Sequence, residues 1–378
     1  MNSATLFCPN ITCPARGAVG KGNIGVHCRK KQRYICHVCQ QTFTASKGTL
    51  FYRLRTDPKT VLLVVALLVY GCPVQAIVQA FGFDERTVRN WWRRAGQHCQ
   101  AFHERLVQDN SLDLGQVQAD EIKAKTQRGP IWVAMAMIVS TRLWLGGAVS
   151  AYRDTALLQK MAQQVRAIAL CRPLLIAVDG LNLYPSVFRD VFRTGIPRLT
   201  GQIGRMTLVQ WPNIAIVQVM KSKQSGVWSI QRTIVQGAKT MIEQLLQSTQ
   251  GGGMINTAYI ERLNATFRQR LACLFRRTRH LARQSATLQE SMYVLGCVYN
   301  FCDFHQSLRL RLSVGRSGFR WVQRTPALAA GLADHQWTLE ELFRHKTPPR
   351  PWVKKQGRGR MSNRLKRRML RYGFISTL

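Results

Sequence analysis

Negative charge is what this sequence has least of. Only 18 Asp and Glu stand against 55 Lys and Arg in 378 residues, a formal net charge of +37. An excess of that size repels itself in a compact fold unless a polyanion neutralises it. Nucleic acid is the expected partner, because its phosphates release counterions on contact with Lys and Arg. The 46% hydrophobic content is ample for real cores, which argues against a merely basic, ribosomal-type chain. Long apolar runs are missing too. The most apolar stretch, "VLLVVALLVY" (61–70), is about half the roughly 20 residues of a spanning helix and ends at Gly71-Cys72-Pro73, so it reads as a buried helix. The first residues, "MNSATLFCPN", lack the charged-then-apolar order of a secretory signal, which leads to the expectation of a cytoplasmic protein. The 11 cysteines are an odd number, four of them in metal-like spacing, and a disulfide framework is not expected. At roughly 100–200 residues per domain, the length predicts two or three domains.

Cys8 and Cys13 form a C-x4-C knuckle, and Cys36 and Cys39 a C-x2-C knuckle. Each knuckle turns two thiolates toward one point, which is what tetrahedral zinc requires. The glycines between them and "KKQRYICHVCQQTF" predict a short hairpin carrying the second knuckle, with the metal supplying folding energy that so small a module lacks. His27 and Cys28 lie nearby and read as spares, although Cys28 stands as an alternative to Cys13. Further on, "CPVQAIVQAFGFDERTVRNWWRR" (72–94) predicts a helix, a turn at Gly82-Phe83, and a second helix over 85–94 capped by Asp84. That second helix buries Val88 and Trp91 and turns Arg86, Arg89, Asn90, Arg93 and Arg94 outward. This is the helix-turn-helix pattern, whose second helix enters the major groove.

From residue 116 the period changes. Strands are predicted over 117–125, 131–140 and 143–151, a helix over 154–170 capped by Asp154, a buried strand over 173–180, another helix, and a strand over 213–221. That order makes a ribonuclease-H-like arrangement, with helices flanking a mixed sheet. Asp120 then lies on the first strand and Asp179 closes the apolar fourth. A carboxylate ending such a strand is costly unless something pairs with it, although Asp-Gly also serves as an ordinary turn. Glu121 is expected on the opposite face, because successive strand residues alternate. On the helix predicted to start near Asn256, in "NTAYIERLNATFRQRL" (256–271) and just beyond it, Ile260, Leu263, Phe267, Leu271 and Leu274 form a buried stripe, and Glu261, Asn264 and Arg268 follow one another on a polar face. Glu261 suits the start of a helix dipole, or it is the third carboxylate of a site for two magnesium ions, with arginines holding phosphates beside it.

Several stretches together resemble bacterial insertion-sequence transposases with a DDE catalytic domain, particularly the type named after insertion sequence one. They are "CPNITC…YICHVCQQTF", "ADEIKAK", "IAVDG", "NTAYIERLNATFRQRL…RRTRHLARQ" and "VYNFCDFHQSLR", covering residues 8 to about 309. The segment "IERLNATFRQRL" is the most specific of them and the helix-turn-helix the least. The resemblance implies that Asp120, Asp179 and Glu261 hold two Mg2+ or Mn2+ ions. It implies hydrolytic cleavage of DNA 3′ ends followed by strand transfer, with element ends and target DNA as partners, and a homo-oligomer associated with a prokaryotic nucleoid. The stretch 180–260 is longer than in compact members, which leaves Glu243 a rival for the third position. His305 matches a histidine of the family, and a packing role suits it equally.

The expected fold is multidomain α+β. A zinc ribbon covers 1–48, an all-α helix-turn-helix 56–108, and an α/β ribonuclease-H-like domain 115–310, with a helical insert about 222–253. A C-terminal helical element and basic tail occupy 311–378, and the tail (346–372) reads as flexible and DNA-associated, or as a solvated end. Arg268 and Arg270 join the outward residues of the second helix as expected DNA contacts. Two rivals stay open: a DNA-binding regulator with a decayed catalytic domain, and a nuclease that cuts without joining. The two N-terminal DNA modules argue against the nuclease.

Overall fold

The computed structural model describes residues 6–127, 129–196, 206–224, 227–277, 281–282, 284–315, 318–352 and 362–374. The chain divides into two compact units, Met1–Val61 with Phe343–Leu378, and Leu62–Leu342. In the first, β1 (Ile24–Cys28), β2 (Arg33–Cys36) and β3 (Thr42–Thr44) form an antiparallel sheet. Alternation turns Tyr34, Cys36 and Phe43 inward, where they meet Leu6, Cys8, Cys13 and Val38.

The second unit takes the chain from the apolar helix α1 (Pro58–Val69) into α2 (Val74–Phe81) and α3 (Glu85–His103). Gly82 ends α2 in the left-handed region at φ 67°, and the Asp84 carboxylate accepts from the Thr87 amide to start α3. α3 runs well past the predicted end and continues through a π-helical turn, Glu104–Gln108.

Next come β4 (Gln116–Thr126), β5 (Gly129–Ile138) and β6 (Trp144–Ser150), then α4 (Thr155–Ile168), β7 (Leu174–Asp179), α5 (Leu183–Val191) and the small hairpin β8 (Arg193–Ile196) with β9 (Thr207–Gln210). The chain continues through β10 (Ile214–Gln224), β11 (Val227–Gln236), α6 (Lys239–Gln250), α7 (Ala258–Arg270) and α8 (Ser285–Phe301). One six-stranded mixed sheet results, in the order β11-β10-β7-β4-β5-β6. β4, β5 and β6 are an antiparallel meander, β7 runs parallel to β4, β10 parallel to β7, and β11 antiparallel to β10. The body of β7 is wholly buried, as its continuous apolar run predicts.

α8 packs along both β6 and α3. Asn300 donates to the Trp144 carbonyl and accepts from its amide, both at 2.8 Å, while Trp92 Nε1 donates to Ser291 Oγ at 2.8 Å. Close approach of α3 and α8 needs Gly96, since a Cβ there would lie 2.9 Å from the Glu290 carbonyl oxygen. The helix-turn-helix segment is therefore packed into the same unit as the sheet.

The chain ends through β12 (Leu310–Val314), β13 (Gly318–Val322), α9 (Pro326–Ala329), α10 (Leu339–Arg344) and α11 (Asn363–Arg371). Two expectations need correction. The stretch about 222–253 is no separate helical insert: the end of β10 enters it, β11 within it pairs with β10, and α6 buries Ile242 and Leu246 on Leu175, Ala215 and Val217 of the sheet. The basic tail is not merely a solvated end, although residues 353–361 lie outside the described set. α11 places Met369 in the core of the cysteine-bearing unit, with Leu365 and Tyr372 against it, and Arg368 donates to the Val38 carbonyl at 3.3 Å. Leu365, Met369 and Tyr372 recur at helical spacing inside a run that reads, by composition, only as charge.

Candidate active site and cysteine cluster

The four expected sulfurs converge. Those of Cys8, Cys13, Cys36 and Cys39 all lie within 4.8 Å of one another, with Cys8–Cys39 at 3.7 Å and Cys13–Cys36 at 3.9 Å. A tetrahedron with Zn–S near 2.3 Å has S···S edges of about 3.8 Å, so this group could hold a structural metal such as zinc. The hydrogen bond from the Cys13 thiol pushes Cys36 down to about 6 and raises Cys13 in turn. Cys28 and exposed His27, on β1, are outside the cluster, so the first knuckle is Cys8 with Cys13.

The acidic residues gather at one end of the parallel strands. β4 and β7 stay paired up to Ala119 and Val178, and the next positions are Asp120 and Asp179. Oxygens of Asp120, Glu121 and Asp179 lie within 4.8 Å of one another. Arg153 joins two of them, donating to Glu121 Oε2 at 3.0 Å and Asp179 Oδ2 at 3.2 Å, with its guanidinium 5.0 Å over the Trp132 ring. Burial, then the neighbouring charges of Glu121, Asp179 and Glu261, push Asp120 up to about 7, although the bond from the Glu121 amide opposes the shift. Glu121 is raised by burial in spite of Arg153.

Glu121 is the correction here. Strand alternation predicts it on the face away from Asp120, yet it reaches the same cluster. Asp120 folds Oδ1 back onto the Glu121 amide at 2.8 Å, and Asp179 ends its strand, so no strand body separates the two faces beside it.

α7 is docked on β4 by side chains of one strand face. Gln118 Oε1 accepts from the Tyr259 and Ile260 amides, both at 3.0 Å, and its Nε2 donates to the Asn256 carbonyl at 2.7 Å. Two residues along, Asp120 Oδ2 accepts from Asn264 Nδ2 at 2.8 Å. Glu261, one turn before Asn264, is outside the three-carboxylate group. It accepts from Thr257 Oγ1 at 2.7 Å and is ion-paired with Lys221. Lys221 is two residues beyond Val219, the register partner of Asp179, so Glu261 borders the cluster. Glu243 is exposed on α6 beside Lys239 and takes no part.

Arg268, on the same α7 face, is pushed down by burial and by the charge of Arg276. It lines an open groove of about 540 Å³ with Phe275, Arg276 and Arg277. Arg270 differs from its expected role as a DNA contact, being ion-paired with Asp303 at 2.7 Å and stacked 5.1 Å over Tyr70. Both partners are only 18% exposed, so that guanidinium is committed inside the fold. His305 packs edge-on against Tyr299 at 4.5 Å, and burial lowers its pKa. Cys297 is buried, its thiol 3.2 Å from the Cys99 carbonyl.

On α3, Arg86, Arg89 and Arg93 are exposed, while Asn90 and Arg94 are half-buried. Arg89 is ion-paired with Glu85 at 2.5 Å, and Arg93 donates to Asn90 Oδ1 at 2.9 Å. Sequence reasoning missed Gln118, Arg153 and Lys221. Gln118 was findable, since it shares the strand face of Asp120 two residues away; Arg153 and Lys221 carry no local signal.

Among the described residues no helix is long and apolar enough to cross a membrane. No protein-family model matches the chain, and no curated protein sequence matches it.

Proposed function

We propose that this chain is a DNA transposase of the DDE type, with a ribonuclease-H-like catalytic sheet, that binds element ends, cleaves their 3′ ends and transfers them to target DNA. The observation that carries this reading is the side-by-side placement of Asp120 and Asp179 at the end of two parallel strands, with α7 docked across β4 beside them. An all-oxygen donor set, with Asp120 raised to about 7 by burial first and by the neighbouring carboxylates second, suits a hard divalent cation. Asp120 and Asp179 would hold Mg2+, with Glu261 or Glu121 as the third carboxylate. When bound, the metal polarises the scissile phosphate and lowers the pKa of the attacking water or 3′-hydroxyl.

The chain's own groups do the rest. Asn264 donates to Asp120 Oδ2 and the Glu121 amide to Oδ1, which together fix the orientation of the Asp120 carboxylate. Arg153 and Lys221 offset carboxylate charge before DNA arrives. Arg268 and Arg276 line the groove in which phosphate would lie. Water oxygen attacks phosphorus, the bond to the 3′-oxygen breaks, and that oxygen leaves as a hydroxyl while the phosphate stays on the flanking 5′ end. The freed 3′-hydroxyl then attacks a target phosphodiester and displaces its 3′-oxygen, so each step exchanges one P–O bond for another.

A second reading is a DNA-binding regulator whose carboxylates no longer bind metal. It is favoured by the protein's own cations, since Arg153 already pairs with Glu121 and Asp179, and Lys221 with Glu261. The test is magnesium-dependent nicking and strand transfer on end DNA, with affinity measured in parallel. Nicking abolished by Asp120→Asn with binding retained supports the enzyme; tight binding by the wild type with no nicking in Mg2+ or Mn2+ supports the regulator.

A further inference from the structure

β12 and β13 form a two-stranded antiparallel ribbon that joins no other described strand, and it is exposed on both faces. A lone two-stranded hairpin is marginal in water, so a ribbon of this kind gains from something to lie against. The register pairs Arg311 with Trp321 and Ser313 with Phe319, placing these four, and Arg309 by alternation, on one face. The Arg309 guanidinium lies 4.0 Å over the Trp321 ring, and that of Arg311 4.0 Å over Phe319. Stacking fixes each guanidinium plane while its in-plane N–H groups stay available, and neither side chain has a hydrogen-bond or ion-pair partner among the described residues. No Asp or Glu occurs from Gln306 to Thr325. The root is firm: Arg324 Nε donates to the Leu308 carbonyl at 2.7 Å and the His305 amide to the Arg324 carbonyl at 3.1 Å.

We propose that the β12–β13 ribbon is a separate DNA-binding element, laying its Arg309, Arg311, Phe319 and Trp321 face against the phosphates of duplex DNA. Two features favour a duplex over a single strand. One side of each aromatic ring is already covered by a guanidinium, which takes away stacking surface that unpaired bases would use. A two-stranded ribbon also fits the width of the B-form major groove. The ribbon's other face carries exposed Leu310, Leu312 and Val314 with one cation, Arg320 opposite Leu312, and a second copy of the chain is the competing occupant. The proposal stands on the ribbon's own charge and geometry, and holds whether or not the carboxylates cut DNA.

The experiment uses the full chain in EDTA, so that cleavage does not enter, and measures binding to duplex and single-stranded DNA of one length across salt concentrations. The double variant Arg309→Gln with Arg311→Gln is expected to lower duplex affinity about tenfold near physiological salt. The slope of log K against log salt should become shallower by about two, as for two lost phosphate contacts. Arg309→Lys with Arg311→Lys keeps the charges and is expected to keep the slope. Leu312→Asp, on the other face, is expected to bind as the wild type does. An unchanged slope in the Gln pair overturns the proposal, as does a loss confined to single-stranded DNA. Equal losses in the Lys and Gln pairs would mean the arginines serve only the ribbon's fold, and a Leu312→Asp variant that falls to a smaller oligomer and loses DNA binding would assign the ribbon to self-association; either result overturns it.

Discussion

The Asn264 amide donates to Asp120 Oδ2 at 2.8 Å, tying the middle of α7 to the strand carboxylate that ends the β4–β7 pairing. Asn264 is itself buried, so the bond is made in poor solvent and orients Asp120 firmly. Asn264→Ala should therefore weaken Mg2+ binding by about 10–100-fold, the usual cost of losing a group that orients a metal ligand. Mn2+ titration of wild type and variant checks this, and equal affinities would leave Asn264 a packing residue.

Replacing the carboxylates one at a time identifies the third ligand. Asp120→Asn and Asp179→Asn should each lower nicking about a hundredfold or more while DNA affinity holds or rises. Glu261→Gln and Glu121→Gln separate the two candidates, because only the ligand should show a loss of that size. Glu243→Gln, exposed on α6, should keep wild-type activity.

Asp120 also predicts a pH effect on stability. Its pKa is raised to about 7 by burial, whereas an aspartate in the unfolded chain titrates near 3.9. Between about pH 4 and 7 the folded protein therefore keeps a proton that the unfolded chain has released. Stability falls as pH rises through that window and levels off above it. In EDTA, the wild-type unfolding temperature should drop between about pH 5 and pH 8 relative to Asp120→Asn, which lacks the titrating group. Parallel curves for the two proteins would show that Asp120 is charged throughout.

The cysteine cluster should carry about one zinc per chain, and Cys36→Ser should abolish it and unfold the ribbon, since metal affinity there is folding energy. Cys28→Ser should retain the metal. Elemental analysis with circular dichroism measures both.

Burial of Met369 makes the C-terminal helix part of that same unit. Met369→Ala should cost about 2–5 kcal/mol of its stability, and proteolysis should cut the N-terminal ribbon sooner in this variant than in the wild type. An unaltered cleavage pattern would mean that α11 adds nothing to the ribbon core.

Much of this protein was open to reading from residues alone, where the signal was local. The knuckle spacing of Cys8, Cys13, Cys36 and Cys39 brings four thiols to one point by turn geometry, and the Asp84 and Asp154 caps start helices where they stand. β7 appears in the sequence as an unbroken apolar run because both of its faces are covered. What the sequence could not decide are relations between residues far apart in the chain, which depend on register and packing. Glu121 joins Asp120 and Asp179 where the β4–β7 pairing has already stopped, at Ala119 and Val178. Arg153 reaches that cluster across 26 residues, Lys221 meets Glu261 across 40, and Gln118 caps α7 across 142. Arg270 and Arg268 look alike in the sequence, two residues apart. Tertiary structure alone gives the first a half-buried aspartate and sets the second beside Arg276, where an anion would be welcome.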